Sequence, residues 1–302
     1  MNTSLTLSSH GYELDLSDAA FGELRRSDDV LTDEKSLRER MIEDGYLYLP
    51  GFFEREDVLK VRAELCSQLE LAGRLDPDFP VIEAVPCPPD KTPAFPQNAQ
   101  GFPVNRKHPT FERFLFGTSI LDFYRRFFGG EVRHYDHTWF RAVNPGRGTP
   151  PHCDLVYMGR GTHEVRTAWI PYGDTSLELG GLIVLEGSHR QSERLKNYLA
   201  QDVDTYCENR PGGYKFKPGM LTKNPVTLRE KMGGRWLTTE FKAGDLLTFG
   251  MKLVHASLDN QSNCIRLSTD TRYQLATQEI DPRWVGPDTV EYAAKNRIGL
   301  VC

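Results

Sequence analysis

The chain has 302 residues, 39% of them hydrophobic, which is enough to bury a substantial core as one large domain or two small ones. Its formal net charge of −5 gives no general attraction for nucleic acid or an anionic membrane. No apolar run approaches the roughly 20 residues a bilayer span needs, and the opening MNTSLTLSSHGYELDLSD has neither the basic start nor the apolar centre of a signal peptide, so a soluble cytoplasmic protein is expected.

In chain order, DEKSLRERMIED (33–44) has helical spacing at Leu37, Met41 and Ile42, and Gly45 ends it ahead of the apolar strand YLYLP. FEREDVLKVRAELCSQLELAG then puts Val58, Leu59, Leu65 and Leu69 on one helical face, with Gly73 as its stop. The proline-rich stretch 76–103 reads as an irregular loop, because each proline removes a donor and disfavours helix at the residue before it. PTFERFLFGTSILDFYRRFFGG reads as one helix that starts at Pro109 and closes at Gly129 and Gly130.

From Glu131 the texture changes to short runs rich in Val, Thr, Tyr, Phe and Trp, separated by turn residues. EVRHYDHTWFRAV, TAWIPY, GGLIVLEGS, GDLLTFG, KLVHASL and CIRLSTDTRYQLA are the strand candidates. Helices first and many strands afterwards predict an α+β chain, mainly antiparallel β, with helices packed on one face of a barrel or sandwich. No linker divides it, so a single domain over residues 1–302 is expected. Gly180 with Gly181, and Gly187 with Ser188, read as turns; GGLIVLEGS lacks the Lys and Ser/Thr of a phosphate loop.

The strand-rich half is interrupted at about 191–242, too long for a hairpin loop, and this segment is read as a lid or substrate-binding region, or as a helical elaboration covering a sheet edge. Between Arg210 and Arg235 it carries Arg210, Lys215, Lys217, Lys223, Arg229, Lys231 and Arg235 against Glu230 alone. Those charges either hold an anionic substrate group or form a solvated face. The six cysteines contain no C-x-x-C pair, which argues against a zinc knuckle or thioredoxin-like site and for free, mainly buried thiols.

His152 and Asp154 stand two apart just after a Pro/Gly turn; in a strand they would face one side, with Cys153 facing the other. The pair alone is weak, since the chain repeats it at His134 and Asp136. Two histidines and one carboxylate on one face of a metal leave the opposite face open, the arrangement of non-haem Fe(II) oxygenases. His255, at the end of a strand-like run, is the candidate second histidine.

The set HCD (152–154), AWIPYGDTSLELGGLIVLEGSHR (168–190), GDLLTFG (244–250) and HASLDNQSNCIRLSTDTRYQ (255–274) resembles the phytanoyl-CoA dioxygenase family of Fe(II)/2-oxoglutarate oxygenases, from DGYLYLPGFF near the start to RYQ. The resemblance implies a double-stranded β-helix (jelly roll, cupin-like), iron ligands at His152, Asp154 and His255, and 2-oxoglutarate and O₂ as co-substrates. It places Arg266, eleven residues after His255, on the distal carboxylate of 2-oxoglutarate, with Ser257 supplementing the grip and Trp169 beside it. A guanidinium suits that role, being permanently charged and able to donate two parallel hydrogen bonds to a carboxylate. Arg272 shares strand parity with Arg266 but lies six residues on, and Asp270 is read as its partner.

The implied reaction is hydroxylation of an aliphatic carbon in a small organic or acyl substrate, with release of succinate and CO₂. Asp154 favours this outcome, because related halogenases replace the carboxylate with a small residue. Desaturation and ring formation on the same site stay open, as do acyl-CoA, free-acid, alkaloid, terpene and amino-acid substrates. Two other classes are a zinc hydrolase on the same three ligands and a non-catalytic binding protein on the same fold. His134, Asp136, His137, His163 and His189 are read as ordinary structural residues.

Overall fold

The computed structural model describes residues 6–88, 104–203 and 219–286. A short hairpin, β1 (Ser8–Ser9) and β2 (Tyr12–Glu13), is followed by β3 (Phe21–Glu23), α1 (Glu34–Asp44), β4 (Tyr46–Leu49), α2 (Arg55–Leu71), α3 (Pro109–Leu115) and α4 (Thr118–Phe128). Then come β5 (Val132–His134), β6 (Trp139–Val143), α5 (Leu155–Met158), β7 (Arg166–Pro171), β8 (Leu182–Leu185), α6 (Lys196–Leu199) and α7 (Pro225–Met232). The last elements are β9 (Trp236–Thr238), β10 (Leu246–Gly250), β11 (His255–Ser257) and β12 (Arg266–Leu275). Among the described residues no helix is long and apolar enough to cross a membrane.

Two sheets carry the architecture. One runs β4-β10-β7-β12-β5, with β6 also paired to β12; the other runs β11-β8-β9-β3. All pairings in them are antiparallel except β3 with β9. Period-two alternation decides what each face meets. Leu47, Leu49, Ala168, Ile170, Leu246, Leu267 and Tyr273 pack with α1, α2, α3 and α4. Their neighbours Tyr46, Tyr48, Trp169, Leu247 and Phe249 pack instead with Leu182, Val184 and Leu237 of the second sheet.

The first helix forms as expected, with Asp33 accepting from the Lys35 and Ser36 amides and Gly45 in the left-handed region at its end. Ile42 is not on its buried face: it is 72% exposed, because Leu37 and Met41 define the stripe and the next residue turns about 100° away. The single helix predicted from Pro109 is two. Gly117 is extended between α3 and α4, where a Cβ would sit 2.3 Å from the Arg113 carbonyl oxygen. The proline-rich stretch holds a one-turn 3₁₀ helix at Val81–Glu83, and its remainder from 89 to 103 lies outside the described residues.

The largest departure concerns the interruption at 191–242. It supplies α6, α7 and β9, and β9 lies between β8 and β3 inside the second sheet. Helices therefore cover two faces rather than one: Leu228 and Met232 of α7, with Tyr198 of α6, pack on the side of the second sheet that carries Ile183, Leu185 and Trp236. Three residues, Trp236–Thr238, are too short to announce a strand by alternation.

The N-terminal hairpin is fixed to the loop before His152 by one buried carboxylate. Asp259 accepts from Ser8 Oγ (2.7 Å), the Gly11 amide (2.8 Å) and the Gly148 amide (2.7 Å). Bonds to a charged acceptor are worth roughly 1.5–3 kcal/mol each and are not additive, so Asp259→Ala is expected to cost about 3 kcal/mol and to lower the thermal midpoint by several degrees. Amide exchange at Gly11 and Gly148 should accelerate together, which locates the loss.

Candidate metal centre

The two histidines are brought together by main chain. The His152 amide donates to the His255 carbonyl and the His255 amide donates to the His152 carbonyl, both at 3.0 Å, so residues 149–152 run antiparallel beside β11. The imidazole centroids lie 4.2 Å apart. Each ring places Nδ1 on a carbonyl oxygen two residues back: Pro150 at 2.9 Å for His152, and Leu253 at 3.0 Å for His255. A carbonyl only accepts, so Nδ1 carries the proton and the Nε2 lone pair of each neutral ring is left for a ligand.

Asp154 joins them by a route strand alternation does not give. The backbone at Asp154 is already helical, φ −64° and ψ −28°, as it leads into α5. That turn sets Asp154 Oδ1 3.7 Å from His255 Nε2 and 4.0 Å from His152 Nε2. Its other oxygen, Oδ2, accepts from Thr167 Oγ1 at 2.5 Å and from an Arg272 Nη2 at 3.1 Å. Cys153 does face away, buried among the apolar side chains packed on the second sheet, its amide donating to the Tyr198 hydroxyl.

Burial pushes the Asp154 carboxyl up, but Arg272, His255, His152 and the Thr167 hydroxyl outweigh it and hold the group well below the ordinary carboxylate range. Burial also pulls the His152 imidazole down to about 3, with His255 adding to the fall, Asp154 and the Pro150 carbonyl opposing it, and Arg141 contributing slightly. Two imidazoles and a carboxylate are a donor set suited to a divalent transition metal, and one ligand atom from each lies within 4.8 Å of the others. The site therefore fits a metal.

Arg266 and Arg272 both project from β12 on the face turned toward this group. Arg266 is 2% exposed, and its Nε and Nη1 have no hydrogen-bond partner among the described residues. Its guanidinium carbon lies 5.8 Å from the centre of the Trp169 ring. Burial lowers its pKa to about 10, opposed by Asp270 and assisted by Arg141. A buried cation with unused donors is a site for a carboxylate, so the residues present also fit a dicarboxylate co-substrate. Ser257 is buried on β11, its Oγ accepting from the Thr149 amide at 2.8 Å. Trp169 is buried and meets Phe241 at 4.7 Å between ring centres.

Arg272 has a job the spacing did not reveal. It grips Asp154 while its guanidinium carbon sits 4.3 Å from the centre of the Trp139 ring. Asp270 does not orient it; Asp270 Oδ2 instead accepts from Arg141 Nε and lies 2.7 Å from an Arg141 Nη2. Thr167 was missed altogether, since nothing in a lone strand threonine announces a carboxylate opposite it. The second His-x-Asp pair is structural: His134 stacks on Phe116 at 3.8 Å, and Asp136 accepts from the Gly286 amide at 2.6 Å. His137 packs against Trp139 and Trp284, His163 is exposed, and His189 meets the Ile42 carbonyl.

Of the seven basic residues in the 191–242 segment, Arg210, Lys215 and Lys217 lie outside the described residues. Arg235 makes a two-pronged pair with Glu186, at 2.9 and 2.8 Å.

A family model described as phytanoyl-CoA dioxygenase matches residues 41–268. The 1-deoxypentalenic acid 11-beta-hydroxylase of Streptomyces arenae is 26% identical over 262 residues, covering 82% of this chain and 83% of that one. Its counterpart from Streptomyces exfoliatus is 25% identical over 258 residues, with the same coverage. Among solved structures, the non-heme alpha ketoglutarate dependent carbocyclase SnoK from nogalamycin biosynthesis superposes with a TM-score of 0.57 at 20% identity, covering 82% of this chain and 86% of that one. EctD from S. alaskensis in its apoform gives 0.56 at 17% identity, covering 95% and 96%. Those two similarities bear on the fold alone.

Two outcomes follow from the geometry. Arg272→Gln removes the donor that orients Asp154 and is expected to weaken Co(II) binding, read by calorimetry and the cobalt visible spectrum, by about tenfold to a hundredfold. Arg272→Lys should recover part of that loss. For the metal-free protein, a His152 that titrates at about 3 when folded and near 6.5 when unfolded means the unfolded chain binds the extra proton between those values. Stability to urea should therefore fall as pH drops below about 6.5, with the lowered Asp154 adding to the fall under its ordinary value of 3.8. His152→Gln should shrink the difference between pH 7 and pH 5.

Proposed function

The chain belongs to the phytanoyl-CoA dioxygenase family and is an Fe(II)- and 2-oxoglutarate-dependent dioxygenase; from that premise we propose that it hydroxylates an aliphatic carbon of a small organic or acyl substrate. His152, Asp154 and His255 are its iron ligands in this reading. Arg266 holds the distal carboxylate of 2-oxoglutarate, Ser257 supplements that grip, and Trp169 forms the wall beside it. We read residues 1–302 as one dioxygenase unit whose two sheets are the halves of a jelly roll. In this reading the described parts of the segment at about 191–242 belong to the substrate-binding region. The relatives named as hydroxylases of 1-deoxypentalenic acid favour hydroxylation over the other outcomes.

The observation that carries the reading is Arg266: a guanidinium buried to 2% exposure, with two of its nitrogens unpartnered among the described residues, on the same strand face as the arginine that orients Asp154. A hydrolase using the same three ligands has no use for it.

When bound, the iron, with O₂ and 2-oxoglutarate, supplies the oxidising power for C–H hydroxylation and leaves succinate and CO₂. The chain's own contribution is positional. His152 and His255 present Nε2 because the Pro150 and Leu253 carbonyls hold the Nδ1 protons. Asp154 offers Oδ1 because Thr167 and Arg272 occupy Oδ2, which keeps the carboxylate to a single direction. Arg266 aligns the co-substrate by its far end, and Trp169 with Phe241 keeps water from that end. A carboxylate at position 154 also fills the place a halide would take, so oxygen insertion is the favoured outcome.

Reconstitution with Fe(II) and 2-oxoglutarate should give succinate release that depends on both. Arg266→Gln should raise KM for 2-oxoglutarate at least about tenfold, the loss of one charged hydrogen-bonded contact, and His255→Ala should abolish turnover and cut iron content. Metal-dependent turnover of an ester or amide with no response to 2-oxoglutarate would sink the reading.

A further inference from the structure

The second sheet continues past β11, and its outermost neighbour comes from the 191–242 segment. His255 pairs with Val184 on one side and with His152 on the other, and His152 pairs in turn with Met220. Residues directly opposite across a strand pair share a face, so Leu237, Val184, His255, His152 and Met220 form one row on the inner side of the sheet. Val184 and Leu237 identify that side, since both pack in the apolar layer between the two sheets with Phe249, whose ring meets His255 at 4.6 Å. The His152–Met220 pair is a close one. The Leu221 amide donates to the Pro151 carbonyl at 2.8 Å, so hydrogen bonding flanks the pair, and in such a pair the facing side chains approach most nearly. Gly219 is fixed as well: its carbonyl accepts from the Tyr198 hydroxyl at 2.6 Å, and that hydroxyl accepts from the Cys153 amide at 2.9 Å. A Cβ on Gly219 would sit 2.6 Å from the Tyr157 hydroxyl oxygen, and the Tyr157 ring meets His152 edge-on at 5.7 Å.

Side-chain exposure rises outward along the row, from 6% at His255 to 11% at His152, and Met220 is half-buried. The row therefore opens at its Met220 end. Met41, Met158, Met232 and Met251 are all buried. Met158 and Met251 border the Asp154 turn through their main chain, yet their side chains pack with Tyr135, Leu155 and Trp284. Among the described residues, Met220 is thus the thioether that joins two candidate metal ligands on an inner face with access from solvent.

We propose that Met220 forms the wall of the substrate seat beside His152 and that, with no substrate present, its thioether takes the oxygen atom and becomes a sulfoxide. This rests on the dioxygenase reading and adds a self-modification site to it. The balance closes with the reagents of that reaction. The bond between the 1-carboxylate and the keto carbon of 2-oxoglutarate breaks, CO₂ leaves, and one atom of O₂ ends in succinate. The other atom bonds to a sulfur lone pair. O₂ takes two electrons from the co-substrate and two from sulfur, and no proton is released. Tyr157 stands at the same edge, but its ring must give up a C–H bond to gain oxygen, whereas the thioether gives up none. A flexible, polarizable thioether also adapts to an apolar substrate body, and the polar sulfoxide does not.

The test uses the full chain with Fe(II), 2-oxoglutarate and O₂, no substrate added, and catalase present to remove peroxide. Succinate is measured beside mass spectrometry of the tryptic peptide 216–223, FKPGMLTK, whose methionine is Met220. The expected result is succinate together with one added oxygen atom on Met220, drawn from ¹⁸O-labelled dioxygen and removed by methionine sulfoxide reductases, at about tenfold or more above the level without 2-oxoglutarate. Met41, Met158, Met232 and Met251 should stay unmodified. A second readout needs no turnover. In protein carrying methyl-¹³C methionine, the resonance that disappears in Met220→Leu should be shifted or broadened by Co(II) relative to Zn(II). The proposal is overturned if that resonance is the same with both metals, if succinate forms while Met220 stays unmodified, or if the oxygen is found on Tyr157 or Trp139 instead. Absence of succinate overturns the dioxygenase reading and the sulfoxide with it, while the cobalt effect still decides where Met220 lies, so the two fail separately.

Discussion

Three charged side chains on one buried face of a central strand are the constraint around which this site is arranged. Arg266 and Arg272 are each 2% exposed and Asp270 is 6% exposed, and an unanswered charge at such depth costs roughly several kcal/mol after relaxation. Arg272 is answered by Asp154 and by the face of Trp139, and Asp270 by Arg141. Arg266 has an aromatic face and a distant carboxylate but no direct anion among the described residues. In the proposed reading a co-substrate carboxylate bound there would regain part of what folding left unsatisfied. β12 can hold this arrangement because its other face, Leu267 and Tyr273, is locked into the helix-side core, where Tyr273 donates to the Leu115 carbonyl.

The candidate metal ligands and the groups that orient one of them come from opposite walls of the fold. His255 belongs to the second sheet, whereas the groups that orient Asp154 belong to β7 and β12 of the first. A metal bound to His255 and Asp154 ties the two sheets together, so metal occupancy and stability are coupled by linkage. This also explains why Asp154 sits in a helical turn. An extended residue two places after His152 would direct its carboxylate parallel to the imidazole; the turn swings it so that Oδ1 meets the histidines while Oδ2 reaches across to the other sheet.

Much of this was readable because the chemistry restricts residue type and order. His152, Asp154 and His255, with Arg266 eleven residues on, form a combination that composition does not produce by accident, and it was the resemblance to a known family that singled them out. What escaped lies where meaning depends on a partner distant in sequence. Thr167 and Arg272 acquire their roles only from Asp154, 13 and 118 residues away, and Asp270 chose Arg141 across 129 residues. Parity did place Arg272 on the correct face, yet it could not say which carboxylate waited there. β9 was lost for a different reason: a three-residue strand leaves no measurable alternation, and the loop-like residues around it concealed a strand buried inside its sheet.

Exposure separates Arg266 and Arg272 from Arg141. Arg272 cannot turn outward without stranding the buried Asp154 carboxylate, and Arg266 is as deeply buried. Only Arg141 combines a preformed orientation, imposed by Asp270, with access from solvent.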